Sequence, residues 1–167
     1  FIAARISGAQ LQSSAGFRSE LWRGSVEAAL QFLPLGSGWG TYDIAYRPFQ
    51  SIAIVGYPNH AHNDYVEMFL EGGLLFVAVA ALCTWLMLGR AIHLARTALQ
   101  DRTLARASML AALAGIGLAG FLLHAFVDFP MRVPANAILA SLFAGAFLRP
   151  LDPAPTHDHR DDHETTQ

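Results

Sequence analysis

Between Gly72 and Gly89 the chain runs for 18 residues without a charged side chain. An α-helix needs roughly 20 apolar residues to cross about 30 Å of hydrocarbon. Inside hydrocarbon only helices and closed barrels satisfy their own backbone. Two further spans follow: Ala107 to Val127, broken only by His124, and Val133 to Leu148. With 53% hydrophobic and 14% charged residues and a mean hydropathy of +0.34, the composition is too greasy for an ordinary soluble domain. The expected fold is an all-α integral membrane protein. Residues 1–71 form a helical loop region outside the bilayer, 72–148 three transmembrane helices, and 149–167 a disordered tail.

Orientation comes from the arginines. Arg90, Arg96, Arg102 and Arg106 face a single acid, Asp101, between the first two spans. By the positive-inside rule this connection is cytoplasmic, as is the tail. The first 71 residues and the turn Asp128 to Arg132 then lie on the outer face. A net charge of −2 speaks against nucleic acid as a partner, and the single Cys83 excludes an internal disulfide framework or a multi-cysteine metal site. The chain starts at Phe1 with no signal-peptide pattern, so it reads as the C-terminal part of a longer protein.

Residues 1–14 have no firm period. From Ser14, Phe17, Leu21, Val26, Ala28, Ala29, Leu30 and Leu33 fall at helical spacing, with Ser13 or Ser14 as cap and Pro34 as the stop. Gly36, Gly38 and Gly40 alternate in a loop where positive φ and close backbone approach are available. The loop has neither the spacing of a dinucleotide fingerprint nor the lysine of a P-loop. Asp43 to Pro58 is aromatic and proline-broken, an irregular interfacial segment. Asn63 or Asp64 is a good N-cap, and Asp64-x-x-Glu67 has capping-box spacing.

His60 and His62 precede that helix, where free N–H groups and the dipole favour an anion. Three readings are open for them. With Asp64 they could ligate zinc or manganese, although no further histidine follows. They could be interfacial polar side chains at the end of a span. Or a neutral imidazole could act as general base, with an arginine neutralising a departing diphosphate; Arg18, Arg23 and Arg47 are the outer candidates, and Glu20 and Glu27 could instead pair with them. His124 and Asp128 are expected to hydrogen-bond to each other and fix helix packing. The tail cluster His157, Asp158, His159 and His163 reads as solvated.

The order Arg18-x-x-x-Trp22, then Pro34-x-Gly36-x-Gly38-x-Gly40, then His60-Ala61-His62-Asn63-Asp64-Tyr65 with Glu71-Gly72 entering an apolar span, resembles the C-terminal half of the O-antigen ligase family over about residues 15–148. That family includes related polymerases and protein-glycan ligases. The resemblance implies a multi-span helical protein of the bacterial inner membrane with its site facing the periplasm. The implied activity is transfer of a glycan from an undecaprenyl-diphosphate carrier to an acceptor such as a glycolipid, with inversion and with no metal or other cofactor. It makes His62 the base and Arg18 the diphosphate ligand, with Arg23 the second register. His60, Asn63, Gly36, Gly38 and Gly40 support them. The family pattern of His, Asn and a later Gly-x-x-Gly fits His62, Asn63 and Gly72, but Leu75 stands where the last glycine belongs. A further arginine of the family would lie upstream, so residues 1–167 alone are expected to be inactive. The alternatives are a polymerase or protein-glycan ligase using the same carrier, a membrane metalloenzyme at His60, His62 and Asp64, and a non-enzymatic assembly subunit.

Overall fold

The computed structural model describes residues 8–54, 56–100 and 105–150. All but the first two residues of the expected tail 149–167, with its histidine cluster, lie outside the described residues, as do Asp101 and Arg102. Five α-helices and no strand occur among those described: α1 (Gly8–Gln31), α2 (Tyr42–Tyr46), α3 (Asp64–Gln100), α4 (Ala105–His124) and α5 (Pro134–Leu148). Short 3₁₀ turns at Arg47–Phe49 and Pro130–Arg132 complete them.

Helix α1 starts at Gly8, earlier than the Ser14 of the periodicity argument, and ends before Pro34 as that residue requires. Leu21, Ser25, Ala28 and Ala29 form its buried stripe at helical spacing. They pack against Tyr42, Tyr46, Ile54 and Leu70. Ser25 Oγ donates back to Leu21 O or engages Tyr42 Oη, both at 2.7 Å. Burial raises the Tyr42 hydroxyl well above its usual range, so it stays protonated against Ser25. The segment from Asp43, expected to be wholly irregular, thus contributes most of α2 and the buried Tyr46.

Asn63 is the N-cap of α3. Its Oδ1 accepts from Tyr65 N at 3.0 Å and Val66 N at 3.2 Å. The Asp64–Glu67 capping box does not form, because Glu67 folds back to Ala61 N instead, at 2.9 Å. Nine residues later α3 breaks. Gly73 takes φ 54°, ψ −142°, a conformation open to glycine. Its missing Cβ makes room for the glycine loop: a Cβ there would lie 2.4 Å from Pro34 O, and one on Gly36 2.3 Å from Glu71 O. Leu74 N donates to Pro34 O at 2.9 Å, Ser37 N to Leu70 O at 2.9 Å and Gly38 N to Glu71 O at 3.0 Å. The loop therefore caps the C-terminus of the short helix 64–72.

Beyond Gly73, α3 continues to Gln100, about 40 Å at 1.5 Å per residue. Among the described residues it is the one helix long and apolar enough to cross a membrane. The apolar parts of the other two, Ser108–His124 and Pro134–Leu148, are shorter, about 25 Å and 22 Å. Among the described residues, one helix of spanning length and two shorter apolar helices stand where the sequence predicts three spans. Helices α4 and α5 pack closely, Phe147 and Phe143 lying over Gly115 and Gly117. An apolar cavity of about 970 Å³ opens between α3 and α4, lined by residues of both helices and by Phe147 of α5. The bundle has two distinct ends. At one, Asp64 N donates to Ala125 O (2.9 Å) and Tyr65 Oη to Leu122 O (3.0 Å). At the other, Arg90 Nε donates to Phe147 O at 3.0 Å, and its Nη2 donates to Arg149 O, capping α5.

Candidate functional site: a histidine loop on a buried ionic cluster

Ala61 fixes both histidines. Its N–H is held by buried Glu67, and its carbonyl accepts Trp22 Nε1 from α1 at 2.8 Å. His60 on one side turns inward: Nδ1 lies 2.9 Å from Glu67 Oε1, and its ring stacks on Phe129 with centroids 4.5 Å apart. His62 on the other side adopts φ 49°, the left-handed region that a non-glycine residue takes only when its surroundings hold it there. It meets Phe129 edge-on at 5.2 Å, and its Nδ1 lies 3.5 Å from Asp128 Oδ1. Its side chain is 40% exposed.

Beneath the loop lies a cluster that the sequence reading missed. Arg132 Nε is 3.1 Å from Glu67 Oε1, close enough for ion pairing though not aligned as a hydrogen bond. Its Nη2 donates to Glu71 Oε2. Glu67 and Glu71 side chains are 1% and 0% exposed, so their charges depend on this guanidinium and on N–H donors. Glu71 Oε1 accepts Tyr42 N at 3.1 Å. The Arg132 guanidinium also lies over exposed Trp39, 4.7 Å from the ring centroid, which ties in the glycine loop. The signal was present: Glu67 and Glu71 are four apart on one helix face at the edge of an apolar span, and such acids need a cation.

Asp64 is fully buried. Its Oδ2 accepts Met131 N at 2.8 Å, and Oδ1 has no hydrogen-bond partner among the described residues. Burial, the largest influence, raises its carboxyl above the ordinary range against the opposing Met131 hydrogen bond. His60, His62 and Asp64 thus have separate partners in Glu67, Asp128 and Met131, and no set of three or more His, Cys, Asp or Glu gathers in a metal-holding arrangement among the described residues.

The expected anion pocket at the start of α3 is also absent. Asp64 N goes to Ala125 O, Tyr65 N and Val66 N to Asn63 Oδ1, and Glu67 N to Asn63 O, so no N–H of the first turn is free. The glycines divide. Gly36 and Gly38 serve the dock onto Glu71, whereas nothing lies within 4 Å of a Cβ built on Gly40. Arg18 stands exposed one turn before Trp22, on the face that reaches Ala61. Arg23 pairs with Glu20 at 3.0 Å, and Arg47 covers the Tyr57 ring at 5.2 Å. His124 and Asp128 are 3.9 Å apart, too far for the mutual hydrogen bond expected. Asp128 faces His62 as well.

A family model described as O-antigen ligase matches residues 1–81. Residues 1–81, just under half of the chain, are thus similar to the O-antigen ligase family. The matched stretch holds the glycine loop, both histidines, Asn63, Glu67, Glu71 and the Gly73 break. The similarity to the O-antigen ligases therefore covers the histidine loop and the buried acids beneath it. Asp128, Phe129 and Arg132 come from outside the match and close the site from the C-terminal half. No curated protein and no solved structure matches the chain.

Proposed function

We propose that the protein transfers a glycan from an undecaprenyl-diphosphate carrier to an acceptor hydroxyl on the periplasmic face of the bacterial inner membrane, with His62 as general base. The observation that carries this reading is the contrast between the two histidines. His60 is committed to buried Glu67, while His62 is held in a strained conformation at the surface, with Nδ1 toward Asp128 and no partner on Nε2 among the described residues. A backbone held in an uncommon conformation beneath an exposed imidazole supports a positioned base.

In this mechanism neutral His62 Nε2 takes the acceptor proton as the acceptor oxygen attacks the anomeric carbon. The bond from that carbon to the diphosphate oxygen breaks, and the product is inverted. Arg18 meets the departing diphosphate; a guanidinium binds phosphate oxygens in bidentate fashion. Arg23 is the weaker candidate because Glu20 already holds it. Gly40, with open space around it, is the part of the glycine loop available to a sugar. The bilayer receives α3 first, then α4 and α5 beside it, with the arginine-rich connection in the cytoplasm.

The test is glycan transfer in membranes holding the full-length protein, supplied with lipid-linked glycan and candidate acceptors. His62→Ala should abolish transfer, and a chelator should leave the wild type unaffected. Transfer that survives His62→Ala removes the base; loss on chelation brings the metal reading forward.

A further inference from the structure

Asp128 has no role in the mechanism so far, yet its carboxylate faces the imidazole on which that mechanism rests. Its Oδ1 is 3.5 Å from His62 Nδ1, a separation that a small side-chain rotation brings to hydrogen-bond length, as happens when open sites take up substrate. Phe129 presents only a ring edge to His62, and Glu67 at the start of α3 is occupied by His60, Ala61 and Arg132.

The carboxylate is also held in place. Asp128 N donates to His124 O at 3.1 Å, and Oδ1 accepts Phe129 N at 3.0 Å. Phe129 is wedged against both histidines. Asp64 N on Ala125 O and Met131 N on Asp64 Oδ2 pin this turn to the start of α3 on either side of Asp128. The two arms of the contact, His62 and Asp128, are thereby fixed to one another through backbone. His124 Nε2, 3.9 Å from Oδ2, is a looser neighbour on the solvent side.

Resting on the reading of His62 as base, we propose that Asp128 is its positioning residue: the carboxylate accepts the Nδ1–H of His62, fixes that tautomer, and so leaves Nε2 unprotonated and aimed at the acceptor. A base whose ring is held by a carboxylate on its far nitrogen is the general logic of an oriented imidazole. The consequence is that the site takes its base from the segment matched to the O-antigen ligases and its orienting group from the turn between α4 and α5.

The experiment uses full-length protein with ¹⁵N-labelled histidine, read by side-chain NMR alongside transfer kinetics, for wild type, His62→Ala, Asp128→Asn, Asp128→Glu and His124→Gln. The wild type should show His62 as the Nδ1–H tautomer. Asp128→Asn should shift that population and lower kcat by about 10²-fold or more with little change in KM for the lipid-linked donor; Asp128→Glu should recover part of kcat. His124→Gln should stay within about threefold of wild type, a margin well below the general-base effect. Wild-type His62 with its proton on Nε2 overturns the proposal even if every variant misfolds. So does a kcat that Asp128→Asn leaves intact while His62→Ala loses transfer. Transfer that persists in His62→Ala removes the base reading itself, which separates the two failures.

Discussion

The two halves of the molecule are held together by different means. From α1 to Gly73, side chains are tied to particular backbone atoms: Trp22 to Ala61, Asn63 to Tyr65 and Val66, Glu67 to Ala61, Glu71 to Tyr42. From Leu74 onward the helices meet through small residues and aromatic rings, and large apolar side chains such as Leu75, Trp85, Leu88 and Ile116 remain exposed. The first half is specified mainly by directed bonds; the second, apart from Arg90 at the end of α5 and the turn 128–132, rests on apolar packing. An active-site scaffold needs the former, since a base must be placed to within a fraction of an ångström. A surface offered to lipid needs the latter.

Substitutions that cut a directed bond should therefore cost far more than those on the apolar exterior. The largest effect is expected for Arg132→Met, which strands Glu67 and Glu71 in the interior; loss of one partner of a buried ion pair costs about 3–5 kcal/mol. Thermal unfolding of the full-length protein in detergent reads it, and adding Glu71→Leu to that variant should restore part of the loss. Next, Leu70→Ala should cost about 2–5 kcal/mol because its side chain is fully buried, whereas Leu75→Ala should stay within about 0.5 kcal/mol. Equal costs at the two leucines would dissolve the contrast.

Gly73→Ala forces a Cβ toward Pro34 O in a conformation that alone costs about 1–3 kcal/mol for a non-glycine residue. Proteolysis between residues 34 and 40 should accelerate in that variant as the loop lifts off. Asn63→Ala should cost about 1 kcal/mol by removing the cap, seen as faster amide exchange at Tyr65 and Val66. The smallest effect is on pH dependence. Burial raises the Asp64 carboxyl, so the folded protein holds that proton to higher pH than the unfolded chain does. Its contribution is present in full below the ordinary carboxylate range and is lost as pH rises through the raised value. Asp64→Asn should flatten that fall in a series of melts; a steeper fall would reverse the assigned sign.

Some of this was legible in advance and some was not. Hydropathy marked α3 as apolar from Gly72, Pro34 marked the end of α1, and asparagine chemistry made Asn63 one of two candidate caps, because each signal is local to a few residues. The need of Glu67 and Glu71 for a cation was legible, but the identity of that cation was not. Glu67 and Arg132 are 65 positions apart, and nothing in the periodicity of either neighbourhood names the other. Glu67 was read as half of a capping box for the same reason: its spacing from Asp64 is right, but the carboxylate finds better donors in Ala61 and Arg132. The facing of His62 and Asp128 depends on a left-handed residue and a turn between two later helices. The Gly72-Gly73 pair looked like the entry to a span, and only the docked loop shows why the second glycine takes a positive φ.

The Gly73 break also separates two helical phases within one stretch of chain. Because α3 restarts at Leu74, one extra residue beyond the break would turn the following apolar face by about 100° while leaving His62, Asn63, Glu67 and Glu71 where they stand. The same insertion between Asp64 and Gly72 would pull Glu67 and Glu71 out of line with Arg132. The length of the apolar segment can thus drift with the thickness of the bilayer it meets, while the nine residues before the break keep a fixed count.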